Sequence, residues 1–183
     1  MTIQHFEQVD ILNIIANFTE DRSHRSSLII PFLNRSNDKT LCIIGQNPSD
    51  ANENHADKTL KYLEMFVYRN LPEYSKIIML NLYSRIDTEK KSCSDLERTE
   101  TYNELVKYIN ENSDFLLVFG ASKKDGAYNF HLKFNDIKVH LKEKNLFKID
   151  TKNNTEYPPH PGNRKITYTN LNYGISSFTI WSL

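Results

Sequence analysis

The sequence predicts an α/β fold with three layers, α/β/α, around a central, mainly parallel sheet of about four strands. Three observations lead there. Short apolar runs at 41–44, 77–80 and 115–120 have the length and β-branched content of strands buried on both faces, and 146–149, interrupted by Lys148, is a weaker one. Stretches with apolar residues at helical spacing lie between them. The runs also end in glycine or amide turns. The first of these, Gly45-Gln46-Asn47-Pro48-Ser49, belongs at the carboxyl edge of an open sheet, where such sheets bind ligands.

Taken in order, residues 3–20 place Ile11, Leu12, Ile14, Ile15 and Phe18 at helical spacing and predict an amphipathic N-terminal helix. With the following lead-in this segment occupies 1–38. Leu28 to Leu33 is apolar, but Pro31 predicts an edge strand or irregular packing. Leu41 to Ile44 is the first core strand. Asp57 is the expected N-cap of a helix from Lys58 to about Asn70, and Pro72 closes it. Ile77 to Leu80 is the second strand. Ser94-Asp95-Leu96-Glu97 matches a capping box, so a helix is expected from about Asp95 to Asn110. Phe115 to Gly120 is the third strand, 121–142 a helix with Gly126 and Asn135-Asp136 as interruptions, and Leu146 to Ile149 a fourth, weaker strand. Three prolines stiffen Tyr157 to Gly162. The tail, 166–183, has no assignable pattern. Without repeats or a low-complexity linker, 1–183 is expected to form a single domain.

Composition excludes several classes. Apolar residues at 39% and charged residues at 25% fit a globular chain better than a disordered one, and no apolar run approaches the ~18 residues that span a bilayer. Met1 to Asp10 has two acids and no basic segment, unlike a signal peptide. Cys42 in a core strand and Cys93 in a polar loop do not make a disulfide framework, and a reducing, cytoplasmic setting is expected. Lys plus Arg equals Asp plus Glu, 23 each, so global charge gives no nucleic-acid signal. His131 and His140 have no acid or thiol at ligand spacing, and no phosphate-loop, dinucleotide or nucleophile-elbow motif occurs. No metal and no cofactor is expected.

In the predicted sheet, Gly45-Gln46-Asn47-Pro48-Ser49, Asn81, Gly120-Ala121-Ser122 and His160 share one rim. An amide there offers both a donor and an acceptor to a base edge, and a histidine can donate to an oxygen that gains negative charge as a bond breaks. Arg85, Lys123, Lys124, Arg164 and Lys165 follow the strand ends while acids concentrate in the helices. A neutral chain can thus carry a phosphate-binding rim, with Ser122 beside it.

The order Gly45-Gln46-Asn47-Pro48, Met79-Leu80-Asn81, Leu117-Val118-Phe119-Gly120-Ala121 and His160-Pro161-Gly162 resembles the uracil-DNA glycosylase superfamily. A closer likeness, from about residue 22 to 165, is to a bacterial and phage family named only as a domain of unknown function. It is carried by Arg25-Ser26-Ser27-Leu28, Asn47-Pro48-Ser49, Asp57-Lys58-Thr59, Asn81-Leu82, Gly120 and Pro159-His160-Pro161. The resemblance implies catalytic roles for Asn47, positioning water, and His160, bonding the base carbonyl, with Asn81 reading the pyrimidine edge beside Gly45, Gln46 and Ser49. It implies DNA as partner, single-stranded or with the base flipped out.

Asn47 stands where most uracil enzymes have Asp. A carboxylate ~4 Å from a developing sugar cation is worth roughly 4 kcal/mol at an effective dielectric near 20, or on the order of a thousandfold in rate. Ser49 replaces the bulky Tyr that excludes thymine, and the loop after His160 offers Arg164 in place of a leucine wedge. Three functions stay open on the sequence: a slow or specialised base glycosylase, a nucleotide or nucleic-acid binding module without catalysis, and an enzyme acting on a free nucleoside or nucleotide.

Overall fold

The computed structural model describes residues 3–91, 94–122, 127–151, 157–163, 166, 168 and 170–179. In chain order the elements are β1 (Ile15–Phe18), β2 (Arg25–Pro31), β3 (Thr40–Gly45), α1 (Lys58–Asn70), β4 (Lys76–Asn81), α2 (Thr99–Glu111), β5 (Asp114–Leu117), α3 (Phe130–Ile137), β6 (Asn145–Ile149) and β7 (Ile175–Ser177). They build one mixed sheet of seven strands in the order β1-β2-β4-β3-β5-β6-β7. This corrects the expected sheet of about four mainly parallel strands. The runs read from the sequence are the parallel stretch β4-β3-β5-β6, and antiparallel partners extend it on both sides.

Alternation along each strand sorts the core into two layers. Leu41 and Ile43 of β3 join Ile77 and Met79 of β4 against Leu60, Leu63, Phe66 and Val67 of α1. Cys42, Ile44, Ile78 and Leu80 face the other way, against Leu105 and Ile109 of α2 and Phe134 and Ile137 of α3. Each fully buried Leu or Ile contributes about 2 kcal/mol. Burial also pushes the Cys42 thiol up to about 12, so it behaves as a small apolar side chain. Among the described residues no helix is long and apolar enough to cross a membrane.

The helix α1 matches its expected bounds, and the Asp57 carboxylate accepts from the Leu60 amide at 2.7 Å as N-cap. Other expectations fail for identifiable reasons. Residues 3–20 form a short 3-10 turn (Ile11–Asn13) and β1 instead of a helix. Leu12 is 95% exposed there, and the backbone pairs outward, with Asp10 donating to the Pro31 carbonyl and Leu33 to that of Gln8. Pro31 does not make β2 an edge strand: it is the last residue of β2, where its missing donor costs least. The helix α2 begins at Thr99, not near Asp95: Arg98 and Thr101 form its capping box in place of Ser94 and Glu97, and Asp95 pairs with Arg85 at 3.3 Å. The expected helix at 121–142 contracts to the eight residues of α3, capped by Asn129, and turns follow it. The unassigned tail supplies β7.

The segment before β1 is fastened by a buried polar pair. His5 Nδ1 lies 2.6 Å from the Glu64 carboxylate of α1, both side chains are fully buried, and the Phe6 amide donates to the second oxygen of Glu64. His5 Nε2 reaches the Asn52 carbonyl at 2.9 Å. Burial lowers the affinity of this ring for a proton, but the bond and charge of Glu64 together with the Asn52 carbonyl outweigh it. The net shift is upward from 6.5. The pair's contribution is therefore complete below about pH 6.5 and is lost as pH rises through the raised folded-state value. Glu64→Gln should cost about 3 kcal/mol, since it leaves a buried partner uncompensated. Urea unfolding between about pH 6 and about pH 9 should show the wild-type protein losing more stability with rising pH than His5→Gln does. Parallel curves for the two proteins would refute the assignment.

Candidate functional site

Parallel pairing aligns the carboxyl ends of β3, β4 and β5, with Gly45 in register with Asn81. Pairing continues past the strand ends, because Leu82 donates to the Gly45 carbonyl and Tyr83 to that of Gln46, both at 3.0 Å. The two loops are thereby zipped together at their roots. The third strand peels away after Val118 donates to the Ile44 carbonyl, and Gly120 turns it at φ +64°. There Gly120 donates to the Pro158 carbonyl at 2.8 Å and fixes the proline-rich segment carrying His160. A Cβ at Gly120 would come within 3.0 Å of the His160 Cβ, so both the backbone angle and the close approach call for glycine.

These connections enclose a cleft of about 250 Å³ on the α1 side of the rim. Gly45, Gln46, Asn47, Ser49, Asn81 and His160 line it, which brings together the residues expected to bind a base or act on it. Their hydrogen bonds differ. Gln46 is engaged at both ends of its amide: Nε2 donates to the Phe119 carbonyl at 2.6 Å and Oε1 accepts from Lys90. It braces the cleft with one donor and one acceptor of its amide, and keeps a second N–H and a second lone pair. Asn47 Nδ2 donates to the carbonyls of Asp87 at 2.7 Å and Pro48 at 3.2 Å, which fixes the side chain and leaves Oδ1 as its acceptor. Ser49 Oγ accepts from the Ala51 amide.

Asn81 differs from both. It is 8% exposed, and its buried Nδ2 has no partner among the described residues. An orphaned buried amide costs on the order of 1–3 kcal/mol. The absent side chain at Gly45 leaves room over it, since a Cβ there would stand 3.1 Å from Asn81 Oδ1.

His160 Nδ1 accepts from the Gly162 amide at 2.9 Å. Burial, then the charge of Lys90, lower its pKa to about 4, and Asp57 opposes this only in part. The ring is neutral at pH 7 with its hydrogen on Nε2, the tautomer that donates outward.

Arg25, Asp57, Asp87, Lys90 and Tyr168 also line the cleft. Arg25 arrives there through an irregularity. Asn17 pairs with Ser27 but Phe18 pairs with Arg25, so Ser26 is an extra residue that turns Arg25 to the α1 face. It is 3% exposed, Nη1 donates to the Ala51 carbonyl, and Nε is buried without a partner among the described residues. Burial lowers its pKa to about 10, which still leaves it charged at pH 7.

Of the expected phosphate rim, Arg85 and Ser122 fall among the described residues. Arg85 pairs with Asp95, and Ser122 bonds Asn129 and the His131 amide at the start of α3. Neither lines the cleft. Lys123, Arg164 and Lys165 lie outside the described residues. Asp57 was legible as a cap but not as a cleft residue, while Asp87, Lys90 and Tyr168 carried no sequence signal. Arg25 showed in the sequence as the first residue of the Arg25-Ser26-Ser27-Leu28 motif, with nothing to say that it enters the cleft. Among the described residues no group of three His, Cys, Asp or Glu side chains gathers to hold a metal.

Residues 32–162, more than two-thirds of the chain, match the family described as "Protein of unknown function (DUF1643)". No curated protein and no solved structure matches the chain.

Two outcomes are expected from this geometry. Imidazole resonances of His160 should titrate near pH 4 with the hydrogen on Nε2, and Lys90→Gln should move the midpoint upward. An unfolded ring takes its proton near 6.5 and the folded one near 4, so acidification across that window should favour unfolding. A midpoint near 6.5 in the folded protein would contradict the assignment. Gly120→Ala should cost about 1–2 kcal/mol in a urea titration through its left-handed backbone, and it should displace His160. An unchanged midpoint would show that the turn relaxes.

Proposed function

We propose that this chain, which belongs to the DUF1643 family of proteins of unknown function, recognises a nucleobase in the cleft and hydrolyses its N-glycosidic bond slowly, after the manner of the uracil-DNA glycosylases its motifs resemble. The observation that carries this reading is the orphaned Asn81 amide lining one cleft with a neutral imidazole whose hydrogen is on Nε2. A buried donor and acceptor on one side chain are matched by a flat heterocycle with an adjacent carbonyl and ring N–H. Asn81 Nδ2 donates to the carbonyl and Oδ1 accepts the ring hydrogen.

As the bond from the sugar carbon to the ring nitrogen breaks, its electron pair passes to the base and collects on a second carbonyl oxygen. His160 Nε2–H donates to that oxygen, a contact stronger in the transition state than before it. Asn47, held by the Asp87 and Pro48 carbonyls, presents Oδ1 as acceptor for the water that adds to the sugar carbon. That water releases a proton, and the departing base anion takes one up. Asn47 brings no charge to the sugar cation, which accounts for slowness. Small Ser49 leaves space for a 5-methyl group, so uracil and thymine would be separated poorly.

A second reading, a base-binding module without turnover, draws on the same amide at position 47. Single-stranded oligonucleotides carrying uracil or other altered bases distinguish the two. Wild-type protein should generate abasic sites, Asn81→Ala should lower the rate about tenfold to a hundredfold, and His160→Ala should lower it about a hundredfold. Release no faster than from an Asn47→Ala, His160→Ala double variant would eliminate catalysis. Base binding that nevertheless survives in the wild type and fails in Asn81→Ala would establish the module.

A further inference from the structure

We propose that Arg25 is an anion-binding group at the inner wall of this cleft, and that it takes the phosphate of the nucleotide whose base Asn81 reads.

The sheet goes out of its regular register to put a guanidinium there. Without the extra residue at Ser26, Arg25 would share the face of Ser27, which bonds Tyr108 of α2. Once turned inward, Arg25 is almost completely buried, yet no carboxylate stands within 4 Å of it among the described residues. Asp57, the acid whose field acts on it most, uses one oxygen to cap α1. A buried charge without a partner is among the more costly groups a fold can hold. Nη1 is occupied by the Ala51 carbonyl, and in this cleft-lining side chain the Nε side of the fork is left without a partner among the described residues. That edge suits two oxygens of one anion, and phosphate oxygens have the spacing for it.

Among the described residues, the cleft therefore holds two buried orphan donors, Arg25 Nε and Asn81 Nδ2. A neutral base satisfies only the second. A ligand that satisfies both carries an anion and an amide-like heterocycle together, as a nucleoside phosphate does. The choice of phosphate over other anions rests on the nucleobase reading; the need for an anion rests on Arg25 alone. The phosphate can belong to a free mononucleotide or to the backbone of single-stranded DNA.

Calorimetry on the whole chain at low salt would compare deoxyuridine, its 5′-monophosphate and a short single-stranded oligonucleotide, while the Nε–H resonance of Arg25 is followed by NMR. Inorganic phosphate alone is the further probe. The monophosphate should bind about tenfold or more tightly than the nucleoside and move the Arg25 resonance, and inorganic phosphate should move the same resonance saturably. Arg25→Lys, which keeps the charge and loses the fork, should abolish most of that gain and leave nucleoside binding intact. Should the variant fail to fold, the wild-type series and the resonance decide. A monophosphate stronger than the oligonucleotide indicates a free nucleotide, and the reverse order indicates DNA; either outcome supports the site. Equal binding of nucleoside and monophosphate with an unmoved resonance overturns it while sparing the nucleobase reading. A resonance that responds to inorganic phosphate in a protein binding no base, nucleoside or nucleotide removes the nucleobase reading and the nucleotide assignment with it.

Discussion

Parallel pairing of β4, β3, β5 and β6 is the constraint from which the rest follows. Strands that run the same way must be joined by chain crossing a face of the sheet, so their carboxyl ends collect on one rim and their exits meet there. Register then decides detail. Because Gly45 lies level with Asn81, a position with no side chain faces an amide whose Nδ2 has no partner among the described residues. A shift of one residue would turn Asn81 to the opposite face, toward α2 and α3.

The cleft is built largely from groups that hold one another. Lys90 anchors Gln46, Gln46 anchors the exit of β5, and Asp87 and Pro48 hold Asn47. The Gly120 turn carries the His160 segment. Against this satisfied frame Arg25 and Asn81 stand out, each with a buried donor unanswered among the described residues. Such groups are rare in folded proteins because they cost stability, and their coincidence in one hollow favours a ligand over packing as their explanation.

Much of the parallel stretch could be read from the sequence, because buried strands and a capped amphipathic helix have local signatures. The run Leu41 to Ile44 and the Asp57 cap are of this kind. The flanking strands could not be read in the same way. β1 is short and half exposed, β7 has three residues, and both depend on a partner strand more than on their own composition. Residues 3–20 misled because helical spacing of apolar residues also arises by chance in a segment that packs through a few side chains. Val9 and Ile14 are buried there and Leu12 is not. Within the site, amides and a histidine at strand ends were recognisable by type. Arg25 was not, since its direction depends on a register break between β1 and β2.

The buried His5–Glu64 pair reaches further than the helix it decorates. Its imidazole also grips Asn52, and the Ile3–Ala56 bridge flanks that grip, so the loop from Ser49 to Asp57 is clasped from outside the cleft while Ser49 and Asp57 line its inner wall. One proton on that ring thus tightens the rim from behind. By reciprocity, an occupant that stiffens the same loop from within raises the ring's hold on its proton. A proton and such an occupant would then be coupled through one loop.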